Sequence, residues 1–178
     1  RFNEEIIMAK NNFEKSLELV LQAEGGFVNH PKDPGGMTNL GVTKAVYDKW
    51  IGRTSTEEEM RALKPEDVAP IYKKNYWDKI YGDQLESGLD FALFDWAVNS
   101  GPGRAAKAIQ RIVGATQDGA IGPKTMQKIA NNDTKYMIEK LHDQRQAFYQ
   151  GLSTFEHFGR GWTRRNKHTK DEALNMVG

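Results

Sequence analysis

Residues 87–100 constrain this chain most. Leu89, Phe91, Ala92, Leu93, Phe94, Trp96, Ala97 and Val98 leave almost no polar face on that segment. A helix that is apolar all round must be enclosed by other elements. The chain is therefore expected to build a helical bundle around it, with Gly101-Pro102 ending the helix. Asp95 interrupts the apolar run, which is also far too short to cross a bilayer. The surrounding segments read as helices too. Phe13, Leu17, Val20 and Leu21 form one apolar stripe, which predicts a helix over residues 12–24 capped by Gly25-Gly26. Thr43 opens a segment carrying Val46, Tyr47 and Trp50. Ser55 or Thr56, with Glu58 or Glu59 three residues on, has the pattern of a capping box. Pro65 suits a first helical turn running toward Trp77, with Pro70 as a kink point. Residues 104–113, a segment after Pro123, and 133–151 complete the helices. Residues 27–42, rich in Gly, Pro, Asn and Asp, predict a small hairpin or loop region. The fold class is mainly α, and there is no internal repeat.

Composition excludes several functions. Twenty-five Lys and Arg face 24 Asp and Glu, so no global charge attracts nucleic acid. The absence of cysteine removes disulfides, thiolate nucleophiles and Cys-based zinc sites. No His spacing suggests a metal ligand set, and no metal or cofactor is expected. Residues 1–12 mix charges with Ile6, Ile7 and Met8 and do not read as a secretory signal.

One carboxyl stands out. Glu24 continues the apolar stripe, three residues after Leu21 and four after Val20. An acid there is expected to be desolvated and to meet the negative end of its helix, which both favour the protonated form. A protonated carboxyl near neutral pH is what glycosidic cleavage needs for its leaving oxygen. A surface acid at a helix end remains the plain alternative.

The segment Glu24-Gly25-Gly26-Phe27 with Asp33-Pro34-Gly35-Gly36-Met37-Thr38-Asn39-Leu40-Gly41-Val42-Thr43 resembles the signature of glycoside hydrolase family 108 N-acetylmuramidases. The order Glu, Asp nine residues on, then Thr on a hairpin is also similar to phage-type lysozymes. The resemblance implies an α+β lysozyme-like fold and hydrolysis of peptidoglycan between N-acetylmuramic acid and N-acetylglucosamine. It implies catalytic roles for Glu24, Asp33 and Thr38, with Gly36, Asn39, Tyr72, Tyr76 and Asn99 as candidates for holding sugar. Asp33 in Asp-Pro-Gly-Gly is equally good turn chemistry, Thr43 an N-cap, and His30 a solvated loop residue. Asp95 and Asn99, four apart, either meet substrate or brace their own helix end.

Gln110, Asp118-Gly119-Ala120-Ile121-Gly122-Pro123 and Thr125 resemble the helical peptidoglycan-binding region that follows such catalytic segments. The expected division is a catalytic segment over 1–100 and a binding region over 101–178 packed on it as one compact unit. Near the end, Arg160, Arg164, Arg165 and Lys167 surround Trp162. Trp162 is expected as an anchor and the cations as partners of anionic envelope polymers or lipids. The chain is expected to act as a monomer, without nucleic acid, in the periplasm or wall after synthesis in the bacterial or phage-host cytoplasm. A lytic transglycosylase using the same Glu24, a non-catalytic wall-binding module and a basic-tailed nucleic-acid binder are the competing readings.

Overall fold

The computed structural model describes residues 2–29 and 36–178, with side chains from Asn12 onward. The chain falls into two compact units. One contains residues 1–16 and 75–178, the other residues 17–74.

In the larger unit the central helix is α5 (Leu89–Ser100), preceded by the start of α1 (Phe2–Glu24). Around it pack α6 (Pro102–Val113), α8 (Thr134–Gln150) and α9 (Phe155–Met176), while α7 (Pro123–Ala130) leans on α6. Every side chain of α5 from Leu89 to Ala97 is buried, as its apolar sequence requires. Phe13 and Phe94 meet the buried ring of Trp77 with centroids 5.2 Å away in each case. The indole N–H of Trp77 donates to Asp83 at 2.8 Å, so this core aromatic keeps its polar handle satisfied.

Asp95 braces α5 from within. Its carboxylate accepts from Arg145 of α8 at 2.8 Å, Arg165 of α9 at 3.1 Å and Thr169 at 3.1 Å. The two guanidiniums hold that carboxyl below the ordinary aspartate range despite burial. Asn99 accepts from Tyr149 at 2.5 Å and from Ser100 at 2.7 Å.

Two helices differ from expectation. The first was expected from residue 12 but runs from Phe2. Asn12 does not cap a helix start; its amide donates to Ser87 at 3.2 Å and to Asp90. The last long helix was expected to end near Gly151, yet α9 adds 22 residues. Its buried face carries Gly159, Asn166, Thr169 and Ala173, which supply no hydrophobic period to read.

The smaller unit holds the end of α1, a three-stranded antiparallel sheet and three short helices. The strands β1 (Val28–Asn29), β2 (Met37–Asn39) and β3 (Val42–Thr43) lie in sequence order. Thr38 pairs with Val28 on one side and Thr43 on the other. Thr43 caps α2 (Lys44–Ile51), its hydroxyl accepting from the Val46 N–H at 3.2 Å. Thr56 caps α3 (Glu57–Arg61) in the same way through Glu59 at 3.1 Å. Ser55 instead donates to Asp48 at 2.5 Å. Pro70 is absorbed within α4 (Pro65–Tyr72), and a π-helical turn over Lys73–Trp77 follows at once.

Candidate active site

Glu24 is the last residue of α1 and is half-buried. The helix stops because Gly25 turns left-handed at φ 82°, its N–H still bonded to the Leu21 carbonyl at 3.1 Å. Two left-handed residues, Leu40 at φ 51° and Gly41 at φ 76°, close the hairpin between β2 and β3. Both central residues of a tight two-residue hairpin take positive φ when the turn matches strand twist.

The tip of that hairpin is pinned. A Cβ on Gly41 would overlap the hydroxyl of Tyr72 and lie 3.0 Å from both Cβ and Cγ of Glu24. The Tyr72 hydroxyl donates to the Leu40 carbonyl at 2.7 Å. A helix end, a hairpin turn and the end of α4 thus converge on the stem of Glu24. That arrangement packs the Cβ and Cγ of Glu24 against the turn.

The remaining candidates occupy different settings. Thr38 is half-buried in the middle strand. Gly36 takes φ 65° with open space where a side chain would stand, so its backbone conformation calls for glycine. Asn39 is 5% exposed and donates to the Met60 carbonyl at 2.8 Å, tying β2 to α3. Tyr72 is 2% exposed and works through its bond to the hairpin. Tyr76 is half-buried on the π-helical turn. Asn99 is half-buried, with its carbonyl oxygen taken by Tyr149 and Ser100. Asp33 and His30 lie outside the described residues. Gly41 stood within the signature without a role, because nothing in its neighbours along the chain reveals a close approach from Glu24 and Tyr72.

The second motif folds around one buried amide. Gln110 donates to Asp118 at 2.9 Å, to the Ala120 carbonyl at 3.1 Å and to Thr125 at 3.2 Å. Its own carbonyl accepts from the Gly119 N–H at 3.0 Å. The spacing of that motif is therefore the spacing needed to wrap a loop around Gln110.

The basic end of the chain needs one correction. Arg165 was expected to face acidic envelope components, but it turns inward to Asp95. Arg160, Arg164 and Lys167 stay exposed on α9. Trp162 stacks between Tyr149 at 5.2 Å and Phe158 at 5.6 Å.

The model of the family described as Glycosyl hydrolase 108 matches residues 17–101. A second, described as a predicted peptidoglycan domain, matches residues 104–167. No curated protein matches the sequence. Among solved structures, that of SagA from Brucella abortus matches with a TM-score of 0.82 and 44% sequence identity, covering 94% of this chain and 96% of the other. With the helix-end glutamate, the hairpin and these matches together, the chain belongs to the glycosyl hydrolase 108 family and is a glycoside hydrolase with a peptidoglycan-binding region.

Proposed function

We propose that this hydrolase cleaves the β-1,4 bond between N-acetylmuramic acid and N-acetylglucosamine, with Glu24 as the general acid. The observation that carries this reading is the contact of the Gly41 turn with the Glu24 stem. It supports the reading because the stem of Glu24 packs at a helix end against a turn that carries no side chain.

In the proposed step Glu24 gives its proton to the bridging oxygen as the bond to the anomeric carbon breaks. Water adds to that carbon and releases a proton, leaving a reducing end. Asp33 and Thr38 are assigned to orienting the water or offsetting positive charge on the sugar, a role that rests on the sequence signature. A water-assisted single displacement with inversion is favoured, since Asp33-Pro34-Gly35-Gly36 is turn chemistry by sequence. Gly36 of the smaller unit, and Tyr76 and Asn99 of the larger one, are each assigned to sugar contacts on the sequence reading. Asn39 and Tyr72 are better read as positioning residues, because their polar atoms hold backbone. Arg160, Arg164 and Lys167 are proposed contacts for anionic envelope polymers, acting in the periplasm or wall.

Mass spectrometry of digested purified peptidoglycan tests the reaction. Reducing N-acetylmuramic acid ends are expected. Anhydro ends would assign a lytic transglycosylase, and reducing N-acetylglucosamine ends would assign the other glycosidic bond.

A further inference from the structure

The larger unit carries a cavity of about 740 Å³ between α6, α8 and the turn at Asp118-Gly119. That is within the size range of small-ligand sites. Its chemistry is one-sided. Arg104, Lys107 and Arg111 stand three and four residues apart, so they share one face of α6. Among the described residues none of the three has a carboxylate within ion-pair reach. Arg111 leans on neutral amides, Gln117 at 3.2 Å and Gln144 at 3.4 Å. Asp118 lines the rim, but its carboxylate is already bonded by Gln110 and by the Ala120 N–H at 3.0 Å.

Aromatic rings complete the lining. The Arg104 guanidinium lies over Phe148, 4.0 Å from its centroid, and Trp96 lies 6.4 Å from Phe148. Trp96 is 2% exposed, and its indole N–H has no hydrogen-bond partner among the described residues. That nitrogen is sealed from solvent, so Trp96 borders the cavity with its ring and its N–H serves as a buried reporter.

We infer that this cavity binds the carboxylates of a short acidic peptide, namely the peptide stem of the peptidoglycan. The inference rests on the proposed substrate. In that polymer the sugar rings are neutral and the charge sits on the stems, so a cation-lined cavity reads peptide rather than glycan. Guanidinium forks match planar carboxylates, and the rings of Trp96 and Phe148 suit the alkyl groups of alanine. A phosphate polymer offers the anion without that apolar complement.

The test uses the full chain labelled with ¹⁵N, following the Trp96 indole resonance, which is assigned by its loss in Trp96→Phe. The probes are a synthetic γ-glutamyl tetrapeptide with free carboxylates, its fully amidated counterpart and inorganic polyphosphate. The free peptide is expected to shift the resonance saturably. Amidation, or the double change Lys107→Gln with Arg111→Gln, is expected to weaken binding by roughly tenfold or more. Equal binding of the amidated peptide, tighter binding of polyphosphate, or an undiminished double variant that is folded by circular dichroism would overturn the inference. Wall lysis measured in parallel separates the two claims. If Glu24→Gln abolishes lysis and no peptide binds, only the cavity assignment fails. If peptide binds and Glu24→Gln still lyses walls, the catalytic assignment fails and the cavity stands.

Discussion

Replacing Gly41 with alanine tests whether the hairpin positions the acid. A non-glycine residue in the left-handed region costs about 1–2 kcal/mol. Gly41 sits there at φ 76°. The new methyl would also overlap the Tyr72 hydroxyl, breaking its 2.7 Å bond to the Leu40 carbonyl. A lost hydrogen bond of this kind adds about 1 kcal/mol. The sum, about 2–3 kcal/mol, lowers Tm by roughly 4–12 °C for a chain of this size. The second consequence is catalytic, because the methyl lies 3.0 Å from the Glu24 stem and pushes it aside. A misplacement of about 1 Å costs on the order of 100-fold in rate. Gly52→Ala is the matched control. Gly52 has the same φ of 76° but nothing within 4 Å of the position of a Cβ. It should lose about 1–2 kcal/mol and keep its activity. Thermal denaturation and turbidity loss of purified walls, run on both variants below their Tm, give the answer. Equal activity of Gly41→Ala and Gly52→Ala would refute the reasoning.

Other outcomes follow from the same contacts. Asp95→Asn leaves Arg145 and Arg165 without their buried counter-charge and should cost about 3–5 kcal/mol in chemical denaturation. The double change Asp95→Leu with Arg145→Met should cost less than Asp95→Asn, because one cation is removed along with the anion. Gln110→Ala should speed hydrogen exchange at the Gly119 N–H, which loses its acceptor, and destabilise by about 1–3 kcal/mol. Stability between pH 4 and 6 should be a balance of two buried groups. Burial lowers His142 to about 4, so the unfolded chain binds the extra proton and stability falls as pH drops from 6.5 toward 4. Burial raises Asp90 to about 6, so the folded chain binds the extra proton and stability falls as pH rises from 4 to 6. Asp90→Asn should therefore steepen the loss on acidification, and His142→Asn should reverse its sign, as read by urea midpoints across that range.

Local signals were legible wherever a residue acts through its neighbours along the chain. The all-apolar helix α5, the caps Thr43 and Thr56, and the glycine stop after Glu24 each follow from short-range spacing. The position of Glu24 at the helix end was legible because it extends the stripe of Val20 and Leu21 up to the Gly25-Gly26 stop. What escaped depends on distant partners. The face of α9 is built from small and polar residues, so no periodicity announces it. Arg165 counts as one more surface cation until Asp95, 70 residues away, is seen beside it. Tyr72 looks like a sugar platform by residue type, yet its ring is buried and its hydroxyl bonds the hairpin. The contact between Gly41 and Glu24 joins residues 17 apart and leaves no trace in either local sequence.

Release of reducing ends from purified cell walls, comparing the wild-type chain with Glu24→Gln, tests the central claim most directly. The substitution keeps the side chain's size and removes its capacity to donate the proton. The account predicts that the variant keeps the wild-type circular dichroism and stays folded at the assay temperature. It predicts that reducing-end release falls by a factor on the order of 100 to 10,000. A folded Glu24→Gln that releases reducing ends at the wild-type rate would contradict it.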